Sequence, residues 1–206
     1  MAKEGFYFFL PFVALMALCF YLYYITLHFN YIYAGIIIFF VGDLVLLFFR
    51  DPQRKIPDGD GLIVSPADGR VLFVEQKKDH YFISIFMSVF NVHINRVPVT
   101  GVVKRLDYRP GKFKAAFKKD AADINERFEI EIKTDKGNVT MHQVAGLIAR
   151  RVVCRLKNGQ NVTKGERLGL IRFGSRVDLF LPLTAKIEVK QGQKVKGAKN
   201  IIGRMA

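Results

Sequence analysis

Apolar residues fill the first fifty positions almost without interruption and then thin into short alternating runs, so the chain changes character near Arg50. From Gly5 to Gly42 no Lys, Arg, Asp or Glu occurs in 38 consecutive residues. A membrane-spanning helix needs about 20 apolar residues, so this run is long enough for two. His28-Phe29-Asn30 is the natural break, which predicts hydrophobic segments over residues 6–27 and 31–49 with a very short connection. A secretory signal peptide fits poorly. Its apolar core covers about 7–15 residues and ends in a small-residue cleavage site, whereas Phe48-Phe49 run straight into Arg50-Asp51-Pro52-Gln53-Arg54-Lys55. Cations there match a cytoplasmic flank, which predicts a hairpin with both ends in the cytoplasm. Gly35, Gly42 and Asp43 interrupt the second segment, and a re-entrant or interfacial stretch is its alternative reading.

Beyond Arg50 the period is two. Residues 127–133 alternate strictly between polar and apolar, and so do 186–190; such alternation marks a half-buried strand. Residues 71–75, 82–89, 102–106, 139–144, 148–156 and 168–173 are further strand candidates. Turn signals separate them, among them Asp68-Gly69, Pro110-Gly111, Lys136-Gly137, Asn158-Gly159 and Lys164-Gly165. Residues 112–122 are the one candidate for a short helix. The pattern therefore predicts a mainly β (α+β) compact domain over residues 50–206, preceded by a transmembrane helical hairpin over residues 1–49.

Composition sharpens this division. Residues 1–49 hold only Lys3, Glu4 and Asp43 as charged groups, yet 16 of the 27 Phe and Tyr residues. Residues 50–206 carry 31 Lys and Arg against 16 Asp and Glu, an excess suited to an anionic partner. A disordered chain, a collagen-like chain and a disulfide-rich secreted scaffold are all excluded. Cys19 and Cys154 lie in the two different parts, and no Cys/His cluster has metal-ligand spacing.

Taken singly, the candidate chemical residues have bland explanations. Asp68, within residues 64–70, reads as a turn Asp bonding its own backbone. His93, within residues 90–98, reads as a polar residue at a strand end. Gly174-Ser175 lies between the strand-like runs 170–173 and 177–182 and reads as a bulge or tight turn. There is no Gly-x-Ser-x-Gly elbow, Walker loop, dinucleotide fingerprint or zinc motif.

The set in order says more. Phe48-Phe49-Arg50-Asp51-Pro52, Ser65-Pro66-Ala67-Asp68-Gly69, His93-Ile94-Asn95-Arg96-Val97-Pro98 and Phe173-Gly174-Ser175 resemble the phosphatidylserine decarboxylase family, in its short bacterial and archaeal form. Pro110-Gly111-Lys112-Phe113, Asn125-Glu126-Arg127 and residues 143–151 are similar to that subgroup as well. The resemblance runs from about residue 48 to the C-terminus.

What it implies is a lyase that makes its own cofactor. A serine hydroxyl attacks the preceding carbonyl, and the chain splits to leave a pyruvoyl group on the new N-terminus. Mapped here, Ser175 becomes the pyruvoyl group and Gly174 ends the other product, giving a β chain of 1–174 and an α chain of 175–206, or 32 residues. The pyruvoyl ketone then forms a Schiff base with the serine headgroup amine, carbon dioxide leaves, and phosphatidylethanolamine is released. Asp68 matches the family Asp. The long forms have His-x-x-His-x-Pro, whereas here the first position is His93 and the second is Arg96. The base that activates Ser175 is thus His93 or, alternatively, His142, while Arg96 and Asn95 are candidates for binding the substrate's phosphate or carboxylate.

The implied partners are a phospholipid in the bilayer and the two cleaved chains as a heterodimer, with a higher oligomer left open and no nucleic acid or metal. The implied location is the cell (inner) membrane, with the catalytic domain facing the cytoplasm. Two other classes stay open: a pyruvoyl decarboxylase of a related lipid such as archaetidylserine, and a non-enzymatic membrane-tethered basic β module.

Overall fold

A computed structural model describes residues 3–117, 124–147, 151–171 and 174–206. The chain divides into two compact units, Met1–Pro52 and Gln53–Ala206.

The first unit is a helical hairpin, α1 (Lys3–Thr26) and α2 (Asn30–Phe48), turning at residues 27–29. At 24 and 19 residues the helices are about 36 and 28 Å long, and both are long and apolar enough to cross a membrane. Gly35 and Gly42, which interrupt the apolar pattern, prove to be the seam. A Cβ at Gly42 would stand 2.9 Å from the Phe9 ring, and one at Gly35 would stand 3.6 Å from Cys19 Cβ. Small residues at such a seam let two apolar helices approach closely where no hydrophobic effect drives them together.

The second unit is mainly β. Its strands are β1 (Leu62–Val64), β2 (Gly69–Gln76), β3 (His80–Met87), β4 (Ile94–Arg96), β5 (Gly101–Arg109), β6 (Arg127–Thr134), β7 (Gly137–Val144), β8 (Val152–Cys154), β9 (Asn161–Val162), β10 (Arg167–Ile171), β11 (Ser175–Pro182), β12 (Lys186–Ile187), β13 (Lys194–Val195) and β14 (Ile201–Arg204). Among the described residues they form an eight-stranded sheet in the order β13-β2-β3-β11-β7-β6-β5-β9, and two three-stranded sheets, β4-β10-β8 and β1-β14-β12. Every paired ladder is antiparallel.

One face of the large sheet carries Ile83, Ile85, Ile130, Ile132, Met141, Val177 and Leu179, all buried. Residues of the small sheets, such as Ile63, Leu168, Ile171 and Ile202, join them in one core. This segregation is what the period-two pattern demands, since alternate residues of a strand face opposite ways.

Three expectations are corrected. Residues 112–117 form no helix: Asn125 occupies the backbone of Lys114 by accepting from its N–H at 2.7 Å and donating to its carbonyl at 2.8 Å, and residues 118–122 lie outside the described residues. The strand expected over 186–190 stops at Ile187, although Val189 remains buried between exposed neighbours. Of the run 148–156 only Val152–Cys154 is a strand, residues 148–150 being outside the described set.

Candidate active site

Ser175 opens β11, in the interior of the large sheet between β3 and β7. It pairs with Met87, and its side chain shares the core face with Val177 and Leu179. Ser175 is fully buried, and its Oγ has no hydrogen-bond partner among the described residues. An orphaned hydroxyl inside a protein is costly; Ser84 on the neighbouring β3 carries another.

Gly174 precedes it at φ +65°. That left-handed backbone strains any residue with a Cβ; space is not the constraint, since among the described residues, chain neighbours aside, no atom lies within 4 Å of where the Cβ would be. The opposite holds at Gly146. A Cβ there would overlap the Gly174 carbonyl oxygen and lie 3.3 Å from Ala116 Cβ, so its absence lets that carbonyl seat against the chain just beyond β7.

The Gly174 amide donates to His93 Nε2 at 3.3 Å, and His93 Nδ1 lies 2.9 Å from the Asn91 carbonyl oxygen. A carbonyl can only accept, so Nδ1 carries the proton and Nε2 presents its lone pair to the Gly174 backbone. His93 is 2% exposed. Beside it, Asn95 accepts from Gln143 Nε2 at 2.8 Å and points its own amide at Met87 Sδ, 3.4 Å away.

The other residues expected at the site have partners of their own. His142 lies opposite Asp178 on β7, and Asp178 belongs to the alternate set of β11 positions, on the sheet face away from Ser175. There the His142 ring stands 4.5 Å from the Phe180 ring, next to Glu129 in the ladder. Burial opposes the charge of Glu129, but the Arg127 hydrogen bond and the charges of His142, Arg127 and Arg109 hold its carboxyl below the ordinary carboxylate range. The same face buries an ion pair between Arg176 and Asp178 at 2.9 Å, with Arg176 also donating to the Ala116 carbonyl.

Asp68 bonds no imidazole. Its Oδ2 accepts from Arg54 at 2.7 Å and its Oδ1 from the Gly197 amide at 2.8 Å. Arg96 donates to the Gly165 carbonyl at 3.3 Å, three residues from His93 and so about 10 Å along an extended chain. Phe173 lies outside the described residues. Asn91, Gly146 and Arg54 were not singled out by type. Gly146 falls inside run 143–151, whose resemblance is its only signal; Asn91 lies two residues before the resembling run 93–98, and Arg54 stands only in the cationic flank.

These features bring together a buried hydroxyl, a left-handed glycine before it and an imidazole of fixed tautomer, with no cluster of metal-binding side chains among the described residues. Comparison with known proteins agrees with the resemblance. The phosphatidylserine decarboxylase family profile matches residues 41–203. The phosphatidylserine decarboxylase proenzyme of Chlorobaculum tepidum is 48% identical over 166 residues, covering 77% of this chain and 76% of that one. That of Ehrlichia chaffeensis is 46% identical over 177 residues, covering 82% and 78%, and that of Chlorobium phaeobacteroides is 47% identical over 178 residues, covering 83% and 81%.

Proposed function

Since the chain belongs to the phosphatidylserine decarboxylase family, we propose that it converts phosphatidylserine to phosphatidylethanolamine after cutting itself between Gly174 and Ser175. The observation that carries this reading is the buried, unpartnered Ser175 Oγ next to a left-handed glycine whose amide faces the His93 lone pair.

In the first step Ser175 Oγ attacks the Gly174 carbonyl carbon. His93 Nε2 takes the hydroxyl proton and delivers it to the departing Ser175 nitrogen, so the amide becomes an ester. Removal of the Ser175 Cα proton expels the Gly174 carboxylate. Hydrolysis of the remaining enamine releases ammonia and leaves a ketone on residue 175. Such a pyruvoyl group supplies the electron sink for decarboxylation of an amino acid headgroup. Gly146 makes room for the scissile carbonyl, Asn91 fixes the His93 tautomer, and Asn95 with Gln143 shapes the wall beside Met87. Asp68 is a positioning residue, joining the start of β2 to Gly197. His93 is the base in this reading rather than His142, which projects from the other face of the sheet.

The two products stay together as a heterodimer. Residues 175–206 supply β11, β12, β13 and β14, one or more to two of the three sheets, and β11 alone pairs with β3 along all eight of its residues. The substrate is a bilayer phospholipid, and the hairpin crosses the cell membrane with the catalytic unit on the cytoplasmic side, a reading supported by the Arg50, Arg54 and Lys55 flank.

Intact-mass analysis of the purified protein tests the proposal. The expected result is two chains meeting at 174/175, the 32-residue one blocked by a pyruvoyl terminus, with Ser175→Ala remaining a single inactive chain of 206 residues. A wild-type chain that is uncut yet active would overturn it.

A further inference from the structure

A short turn follows β3 immediately beyond Met87, the residue paired with Ser175. The Asn91 amide donates to the Ser88 carbonyl at 2.9 Å, and Asn91 Oδ1 accepts from both the Ser88 amide and the Ser88 hydroxyl at 2.9 and 2.8 Å. The two residues at its tip are Val89 and Phe90, which are 41% and 79% exposed. A stiff polar clasp that holds two apolar side chains out into water is the reverse of ordinary turn chemistry.

Two more apolar side chains stand beside the same end of the sheet. Phe117, 57% exposed, packs its ring edge-on to Phe86 at 6.3 Å, and Phe86 pairs with Arg176. Leu147, 64% exposed, follows Gly146 and hence the Gly174 carbonyl. A patch of this kind marks an interaction site.

Charge identifies the partner. Ser88 and Asn91, the two ends of the turn, also line a cavity of about 710 Å3 that contains Arg70, Lys194, Lys196 and Lys199. None of these four cations pairs with a described carboxylate, and the cavity's one acid, Asp68, is bonded to Arg54. Apolar tips beside unpaired cations match an anionic bilayer surface, with the tips among acyl chains and the cations at phosphate level.

We propose that Val89, Phe90, Phe117 and Leu147 form a wedge by which the catalytic unit itself enters the bilayer, bringing the Ser175 site to the headgroups. The inference rests on the decarboxylase reading for its purpose, but its geometry can be tested separately. Asn91 gives the wedge a direct link to catalysis, because the residue that clasps the turn also holds the His93 proton.

The chain contains no tryptophan, so single Trp variants report cleanly. Full-length Phe90→Trp, Phe117→Trp and Leu183→Trp would each be reconstituted in phosphatidylcholine–phosphatidylserine vesicles, with and without bromine on the acyl chains. Leu183 is 41% exposed but lies past the opposite end of β11, about 26 Å from Ser175 along the strand. Blue-shifted emission quenched by bromine is expected at 90 and 117 and not at 183. Unquenched emission at 90, or equal quenching at 183, would overturn the wedge.

In a second measurement Phe90→Asp should mature normally and lose about tenfold in rate on vesicle-embedded phosphatidylserine, the worth of burying one aromatic side chain, while keeping its rate on monomeric short-chain phosphatidylserine. Equal loss on both substrates would overturn the wedge. A wild-type protein inactive on both would instead remove the decarboxylase reading and leave the quenching result standing.

Discussion

His93 stands just before β4 and His142 within β7 of the large sheet, and their surroundings have nothing in common. His93 is buried, held by a backbone carbonyl on one nitrogen and turned toward a backbone amide with the other. His142 lies in a row of side chains across the strands, with Glu129 on one side and Asp178 on the other, its ring against Phe180. The first environment sets an imidazole lone pair against a peptide N–H; the second is a patch of ions and rings. In a strand a single residue's offset decides which face a side chain serves, so β7 sets His142 on the face of Asp178 and away from Ser175, whereas the segment just before β4 brings His93 to the Gly174 amide.

The largest effect expected from testing this contrast is in the histidines themselves. His93→Ala should leave an uncleaved chain on denaturing electrophoresis, whereas His142→Ala should mature fully. Cleaved His93→Ala beside uncleaved His142→Ala would reverse the assignment.

Gly146→Ala comes next. Its methyl group would collide with the Gly174 carbonyl oxygen, and crowding of this kind costs about 1–3 kcal/mol. Since the displaced atom belongs to the bond to be cut, the precursor should accumulate in a pulse-chase experiment by more than the loss in Tm accounts for. Unaltered cleavage would show that the seating of that carbonyl is immaterial.

Asp68→Ala should act more weakly on cleavage and more evenly on stability. It frees the Gly197 amide and leaves Arg54 with 13% side-chain exposure and no carboxylate partner, a loss of about 3 kcal/mol for a part-buried pair. Arg54→Ala combined with Asp68→Ala should recover part of the lost Tm. Full maturation arrest at undiminished Tm would instead make Asp68 a participant in the chemistry.

The smallest effect lies on the His142 face. The folded-state pKa of Glu129 is lowered, so its charge stabilises the fold above the ordinary carboxylate range and that contribution fades as pH falls through the folded value. Glu129→Gln should therefore lower Tm at pH 7, with the gap from wild type closing in acid below about pH 4.5. A gap that persists there would mean packing rather than charge.

The sequence was most legible where strands are long. β6 and β7 carry eight residues each, enough for period two to stand out. β1, β9, β12 and β13 are two or three residues long, too short for any period. At 186–190 the alternation was a true report of burial, since Val189 is inside, but burial does not require a ladder. β11 was only half visible, because Arg176 and Asp178 look like solvent-facing residues and are instead buried on each other.

For the candidate site, it is the family resemblance of the ordered motifs that points to Gly174, Ser175 and His93. Gly146 could not be found from its residue type, only within the resembling run 143–151, since its contact is between backbones 28 residues apart. Nor could Asn91, whose carbonyl carries no signature in the residue type.

The central place of β11 has a consequence for the life of the molecule. If the chain is cut at 174/175 as proposed, folding before cleavage is a unimolecular event in which the middle strand arrives tethered. After it, a denatured sample holds two polymers, and recovery depends on their encounter. The larger one meanwhile exposes the open edges of β3 and β7, which any other strand can occupy. Renaturation of the mature protein should therefore become second order and lose yield to aggregation, while a Ser175→Ala chain refolds at a rate independent of concentration. Maturation on this plan is a ratchet: the information needed to build the sheet is used once, and the working molecule persists by the slowness of its unfolding.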